Sequence, residues 1–196
     1  MLSYSGGNTT TLHYGTDPYA AQWTFHHFST DRFNFGPPEV LYYNLHFVVA
    51  DTTAFPSAAY NIMMNCVAMW NNVAPLNITI GRTSSNSNGS QVIMVKKSNT
   101  PGLLGYADTM NHQLFLDEGM ISDIDNKPNL FKHTFFHEIG HYLLLRHVDD
   151  DANSPLINGV VTLMFRFKDP YEHNDSAIYP SIFDETCVKE KRGCTY

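Results

Sequence analysis

The sequence predicts an α+β domain, and three observations support that prediction. Short runs rich in β-branched and aromatic residues alternate with segments of helical spacing, no internal repeat occurs, and 43% of the 196 residues are apolar while 16% are charged. A chain of this length is typical of one domain and can bury most of its apolar surface. The composition excludes disordered, coiled-coil and collagen-like classes. We therefore expect strands and helices packed in layers around one core.

A breaker near residue 38 divides the chain into two parts. Residues 1–38 contain Gly, Thr, Asn, His and aromatic residues without a clear period, and they end in Gly36-Pro37-Pro38. Consecutive glycine and proline residues are typical of loops. We expect an irregular N-terminal arm over residues 1–38 and the folded domain over residues 39–196.

The elements of the domain follow from hydrophobic periodicity. The run from Leu41 to Val49 predicts a strand, and apolar residues at helical spacing between Pro56 and Pro75 predict a helix. That apolar stripe consists of Ala59, Met63, Cys66, Trp70 and Val73. Four more strand-like segments follow, LNITI, QVIMV, GLLGYAD and HQLFLD, so we expect about five strands. A long apolar helix begins near Asn129, and a C-terminal helix ends the chain.

Charge and hydropathy limit the classes of partner. The chain has 12 basic and 19 acidic residues and a net charge of -7, so it lacks the cationic surface that nucleic acids require. No window approaches 18 consecutive apolar residues, and the segment MLSYSGGNTTT lacks the basic and apolar regions of a signal peptide. We expect no nucleic-acid partner and no membrane span.

Three cysteines leave at least one thiol outside any disulfide within the chain. Cys66 lies on the apolar stripe of the first helix, where a buried free thiol is expected. Cys187 and Cys194 are close enough in sequence to close a short disulfide loop. Paired and unpaired states of these two both remain open.

The strongest chemical signal is an H-E-x-x-H motif formed by His137, Glu138 and His141 inside the apolar run NLFKHTFFHEIGHYLLL. On a helix, residues four apart lie on one face, so both imidazoles can bind one zinc ion while Glu138 approaches a water molecule in the open coordination position. Two solvent-exposed surface histidines are the alternative. Apolar residues on both sides of the motif argue against that alternative.

His147 follows six residues after His141 and gives HEIGHYLLLRH, and Met164 follows in VVTLMFRF. This pattern resembles the metzincin zinc peptidases, in which the extended histidine motif precedes a methionine turn. The similarity to the matrixin branch extends over roughly residues 41–167, through AMWNNVAPLNITI, PGLLGYAD and NHQLFLDE. The resemblance implies a metzincin-like twisted mixed sheet with an active-site helix and a C-terminal helix.

The resemblance also implies a role for each matching residue. His137, His141 and His147 would be the zinc ligands, Glu138 the general base, and Met164 the apolar floor under the metal. An extended substrate would pair with the edge strand and contact the pocket residues after the methionine turn. These substrate-binding residues are Gly102, Leu103, Leu104, Gly105, Tyr106, Phe165, Arg166 and Phe167.

One departure from the family makes a physical demand on the backbone. Leu144 stands where the family has glycine, yet a continuous helix would carry His147 about 15 Å along the axis from His137, whereas zinc ligands lie about 2.1 Å from one ion. We therefore expect the helix to stop between residues 142 and 145, with a positive φ most naturally at Leu144. Otherwise Asp149, Asp150 or Glu172 would supply the third ligand.

Other metal sites are less well supported. Tyr106 stands where matrixins tend to have a histidine of a second zinc site, so we expect that site to be absent although His112 is nearby. Carboxylates of the acidic loop could hold Ca²⁺, or the loop could simply be solvated. These residues are Asp117, Glu118, Asp123 and Asp125. His133 is expected to be a partly exposed helix residue.

Three functional hypotheses follow. The first, implied by the resemblance, is a secreted, monomeric zinc endopeptidase that hydrolyses peptide bonds of extended protein substrates. The second is a proteolytically inactive metzincin-like module that binds a protein or peptide, against which the retention of Glu138 argues. The third is a structural zinc site, which would favour cysteine ligands, and none lies nearby in the sequence.

Overall fold

A computed structural model of the chain describes residues 44–73, 76–86, 90–143, 145, 163, 180, 184–185 and 188, and the backbone alone at residues 2–5 and 9–12. The fold is α+β, as the sequence predicts. Within the described residues, no helix is long and apolar enough to cross a lipid bilayer.

Five strands form one mixed sheet. The two short strands of the arm are β1 (Leu2–Ser5) and β2 (Thr9–Leu12), and the sheet consists of β3 (Asn44–Val48), β4 (Asn77–Gly81), β5 (Gln91–Ser98), β6 (Gly105–Asp108) and β7 (Gln113–Asp117). Their order is β4-β3-β5-β7-β6. All neighbouring pairs are parallel except β6 and β7, which are antiparallel. The short edge strand β6 therefore runs against the direction of the rest of the sheet.

Local patterns explain which face of each strand is buried. In β7, Leu114 and Leu116 are fully buried and alternate with partly exposed Gln113 and Phe115, which is the period of a strand with one face on the core. In β3, four consecutive residues are buried, as is typical of a central parallel strand.

Among the residues from 44 to 143 that the structure describes, three α-helices accompany the sheet, and the two long ones complete the core. They are α1 (Ser57–Val73), α2 (Glu118–Ser122) and α3 (Pro128–Tyr142). Four residues of the predicted stripe on α1 are fully buried, namely Ala59, Met63, Cys66 and Trp70. The Trp70 indole donates a hydrogen bond to the carbonyl of Phe136 in α3, at 3.3 Å. Phe47 of β3 packs edge-on against Phe135, with ring centroids 5.9 Å apart, so α3 packs against both α1 and the sheet.

Two short elements occur where the sequence patterns predict none. In the arm, the strands β1 (Leu2–Ser5) and β2 (Thr9–Leu12) form an antiparallel pair. The acidic loop contains the unexpected helix α2, which Asp117 begins by accepting the N–H of Met120 at 2.7 Å.

Candidate metal centre

Helix α3 places three histidines on successive turns of one face. The ring centroids of His133 and His137 are 5.8 Å apart, and those of His137 and His141 are 4.9 Å apart. Residues four apart lie one above the other on the same face of any regular helix. The structure therefore brings together the two histidines of the H-E-x-x-H motif as the sequence predicts.

Backbone carbonyls fix the protonation of both motif histidines. His137 Nδ1 donates to the carbonyl of Leu163 at 2.8 Å, and His141 Nδ1 donates to the carbonyl of Leu145 at 2.9 Å. A carbonyl only accepts hydrogen bonds, so each neutral ring has its proton on Nδ1 and its lone pair on Nε2. Metal-binding histidines characteristically have their other ring nitrogen held in this way.

The end of α3 makes the His141 contact possible. The helix ends at Tyr142, and the N–H of Leu145 turns back to the carbonyl of Gly140 at 2.9 Å. This return brings the Leu145 carbonyl to His141. The prediction that the helix stops between residues 142 and 145 is confirmed, whereas the backbone angles of Leu144 lie outside the described residues.

Glu138 lies beside these histidines and is almost entirely buried, with 4% of its surface exposed. Burial raises the pKa of its carboxyl group to about 8, and a hydrogen bond from the backbone N–H of Ala107 opposes that rise. Its Oε2 atom has no hydrogen-bond partner among the described residues. A buried carboxyl with a strongly raised pKa is typical of a functional group rather than a structural one.

The edge strand β6 lies directly against Glu138. A Cβ atom placed on Gly105 would lie 2.7 Å from Thr134 Cγ2 and 3.3 Å from Glu138 Cγ, so glycine permits this close approach. The outermost strand of the described sheet therefore lies against the candidate base.

Only part of the expected substrate-binding segment is a strand. Gly105 and Tyr106 belong to β6, whereas Gly102 to Leu104 precede it in a turn in which Gly102 has a φ of 80°. Leu104 nevertheless continues the pairing, because its carbonyl accepts the N–H of Asp117 at 2.8 Å. The Tyr106 ring stacks on Phe115 of β7, with centroids 4.5 Å apart.

A hydroxyl group fastens the end of α3 to the hairpin that carries the edge strand. Tyr142 donates to the carbonyls of Gln113 and Asp108, at 2.8 and 3.1 Å. Its ring also packs edge-on against Phe47 of the central strand β3, with centroids 5.8 Å apart. Helix and hairpin are thus held together next to His141.

His133 differs from the expectation of a partly exposed residue. It is 5% exposed, and burial lowers the pKa of its imidazole to about 4, although a hydrogen bond to the Leu163 carbonyl raises it. The sequence patterns missed Leu163 and Asp184, which lie under the histidines. Asp184 is fully buried and accepts the N–H of Leu163 at 2.9 Å. No local pattern indicates a contact between residues 21 positions apart.

Several predicted residues lie outside the described residues. They are His147, Met164, Phe165, Arg166, Phe167, Leu144, Asp149, Asp150, Glu172, Cys187 and Cys194. Within the described part of the chain, no three His, Cys, Asp or Glu side chains form a group that could hold a metal ion. The third predicted ligand, His147, lies outside the described residues. A zinc site formed by His137, His141 and His147 therefore stays a prediction.

Three carboxylates of the suggested calcium site have hydrogen-bond or ion-pair partners nearby in the protein. Asp117 caps α2, Glu118 pairs with Lys97 at 2.7 Å, and Asp123 pairs with Lys127 at 2.9 Å. Capping and ion pairing therefore account for the positions of these three side chains.

No family model and no curated protein sequence matches the chain. Its fold is similar to a chain in a solved structure described as the GM1-bound form of the ECX AB5 holotoxin, with a TM-score of 0.51 and 14% sequence identity. The match covers 76% of this chain and 79% of that chain. At this level of identity the similarity is one of fold.

Proposed function

We propose that the protein is a zinc-dependent endopeptidase that hydrolyses extended protein substrates. The observation that carries this proposal is the pair of His137 and His141, each with Nδ1 hydrogen-bonded to a backbone carbonyl, on either side of the buried Glu138. A structural role for two histidines would not require one helix face, matching tautomers and a buried carboxyl group between them.

The donor set fits zinc. Two neutral imidazoles with lone pairs on Nε2 are suitable zinc ligands, and three protein ligands with an open position are typical of catalytic zinc sites. The pattern HEIGHYLLLRH makes His147 the proposed third ligand. The end of α3 at Tyr142 supports this assignment, because a helix continuing to His147 would carry that ring away from His137.

The proposed mechanism uses Glu138 as general base. Zinc, when bound, would polarise the scissile carbonyl and acidify a water molecule. Glu138 is buried and lies between the two motif histidines in the sequence, so its carboxylate could take a proton from that water molecule and pass it to the leaving amine.

The outer edge of β6 is the proposed substrate-binding surface. An extended peptide can add to the edge of a sheet through backbone hydrogen bonds, and β6 is the outermost strand among the described residues. Because Gly105 brings this strand onto Glu138, a peptide bound along it would have its backbone next to the base. The substrate class is therefore unfolded or extended polypeptide.

The test compares Glu138→Gln with the matched control Glu118→Gln, which changes a carboxylate outside the site. Metal content and casein digestion, followed by new α-amino groups, are measured on the same preparations. We expect about one zinc per chain in all three proteins, and a loss of at least ~10²-fold in rate for Glu138→Gln alone. Unchanged digestion by Glu138→Gln would contradict the proposal. Wild type that binds zinc and peptide but cleaves nothing would favour the inactive binding module.

A further inference from the structure

A buried carboxylate far along the chain lies beneath the candidate metal centre. Asp184 has no exposed surface, and its Oδ2 accepts the backbone N–H of Leu163 at 2.9 Å. Burying a carboxylate is costly unless hydrogen bonds compensate for the lost water. Its position therefore demands a reason beyond packing, and the contacts of Leu163 supply one.

Leu163 connects this carboxylate to the histidines. Its side chain is fully buried, its N–H goes to Asp184, and its carbonyl accepts Nδ1 of His137 at 2.8 Å. Leu163 thus joins a carboxylate on one side to the His137 imidazole on the other, and hydrogen bonds in such a chain strengthen each other in a water-poor interior.

We propose that Asp184 is a positioning residue for His137. By holding the backbone of Leu163, it fixes the carbonyl that keeps the His137 proton on Nδ1 and the lone pair on Nε2. The consequence for zinc binding rests on the proposed function. In this role Asp184 acts through the backbone of Leu163.

His141 provides an internal control. Its Nδ1 donates to the backbone carbonyl of Leu145 at 2.9 Å. Leu145 is four residues further along the chain, and this hydrogen bond involves neither Leu163 nor Asp184. Loss of the Asp184 carboxylate should therefore disturb the tautomer of His137 and leave that of His141 unchanged. A general loosening of the fold would disturb both rings.

The experiment uses the full chain labelled with ¹⁵N-histidine, in Asp184→Ala, Asp184→Asn and the control Asp117→Ala. Asp117 also accepts a backbone N–H, from Met120 at 2.7 Å, but lies in the cap of α2. Long-range ¹H–¹⁵N spectra of the metal-free proteins report each tautomer, and competition with a chromophoric chelator reports zinc affinity.

We expect Asp184→Ala to weaken zinc binding by about 10- to 100-fold and to give His137 a mixed tautomer with His141 unchanged. Asp184→Asn keeps an acceptor oxygen and should restore most of the affinity, while Asp117→Ala should bind zinc like wild type. Unchanged zinc affinity and His137 tautomer in a folded Asp184→Ala protein would overturn the proposal, as would an equal loss in Asp117→Ala.

Two further outcomes test the role of Asp184 separately from the proposed endopeptidase function. If Asp184→Ala fails to fold, the wild-type spectrum decides, because an Nε2–H tautomer of His137 in the metal-free protein overturns the inference without any variant. If the protein binds zinc and cleaves no peptide, the endopeptidase proposal fails, while the affinities and tautomers still judge the role of Asp184.

Discussion

Two buried histidines in different parts of the molecule show how a structural ring differs from a ligand. His46 lies in β3 and is 1% exposed, whereas His137 lies in α3 and is 7% exposed. His46 Nε2 donates to the carbonyl of Thr83 at 2.8 Å, and its Nδ1 lies 2.7 Å from the Thr79 hydroxyl. In the neutral ring the Thr83 carbonyl places the proton on Nε2 and leaves Nδ1 as an acceptor for the Thr79 hydroxyl, which also lies 3.3 Å from the Leu45 carbonyl. Both nitrogens of His46 thus bond within the protein.

In α3 the pattern is different. His137 and His141 each direct Nδ1–H to a backbone carbonyl, which assigns the lone pair of each ring to Nε2. The lesson is that burial alone does not distinguish the two roles, because both rings are inaccessible. The ring nitrogen that faces the backbone carbonyl does distinguish them, because it is Nε2 in His46 and Nδ1 in His137.

The largest expected effect is loss of metal from His141→Ala. Removal of a ligand should weaken zinc binding by more than the 10–100-fold that outer-shell changes cost, and it should abolish proteolysis and lower stability in the presence of zinc. Chelator competition and casein digestion measure the two effects. A His141→Ala protein that keeps wild-type zinc affinity would show that the motif histidines of α3 are not ligands and do not differ in role from His46.

His46→Ala should have the opposite signature. It removes two hydrogen bonds and leaves a cavity in the sheet, which together should reduce the free energy of unfolding by about 2–3 kcal/mol. Zinc affinity should remain that of wild type. Urea denaturation measures the first quantity, and chelator competition below the unfolding transition measures the second. Loss of zinc from folded His46→Ala would show that the comparison is wrong.

The next effect concerns Gly105, which packs against the candidate base. Alanine there would place Cβ 2.7 Å from Thr134 Cγ2 and 3.1 Å from the Phe115 carbonyl. Thr134 is buried, and its hydroxyl donates to the Leu130 carbonyl at 2.8 Å, so the strand rather than the threonine must move. We expect kcat/KM to fall by about 10-fold, since small misplacements near the reacting groups are costly.

A second substitution tests this explanation. Thr134→Ser deletes the methyl group and keeps the hydroxyl, so Gly105→Ala combined with Thr134→Ser should recover much of the lost activity. The protein with Thr134→Ser alone should cleave peptide at nearly the wild-type rate. Recovery will be incomplete because the Phe115 carbonyl still crowds the new Cβ. If the double variant is no better than Gly105→Ala, contact with Thr134 is not the cause.

How much the sequence predicts depends on how local each feature is. The buried stripe of α1 and the position of His137 and His141 on one helix face follow from helical periodicity alone. The five strands follow from β-branched runs between turn signals. The end of α3 was demanded by the distance to His147 rather than by a stop signal. Each of these predictions needs only neighbouring residues.

Tertiary contacts explain what the sequence patterns missed. Asp184 meets Leu163 across 21 positions, and no spacing rule relates the two. His133 was expected to be partly exposed because helix histidines usually are, yet the same apolar flanks that bury His137 bury it too. The close approach of Gly105 to α3 is equally invisible, since a glycine in a strand can also mark a bulge.

Gly81→Ala is expected to have the smallest effect and serves as the matched control for Gly105→Ala. Gly81 ends β4, and a Cβ on it would lie 3.2 Å from His46 Cε1 and 3.4 Å from its Nε2. The φ of Gly81 is outside the left-handed region, so alanine is compatible with the backbone and restricts the unfolded chain, which favours folding by about 0.4–1 kcal/mol.

The tight contact with His46 opposes this gain, because the ring is held between Thr79 and Thr83 and can shift only slightly. The two effects should leave the free energy of unfolding within about 1 kcal/mol of wild type, with unchanged zinc binding and peptide cleavage. Thermal unfolding and peptide cleavage on one preparation test both statements. If Gly81→Ala lost activity as Gly105→Ala does, the effect at Gly105 would reflect a disturbed sheet, and the two glycines could not be told apart by the side chains they contact.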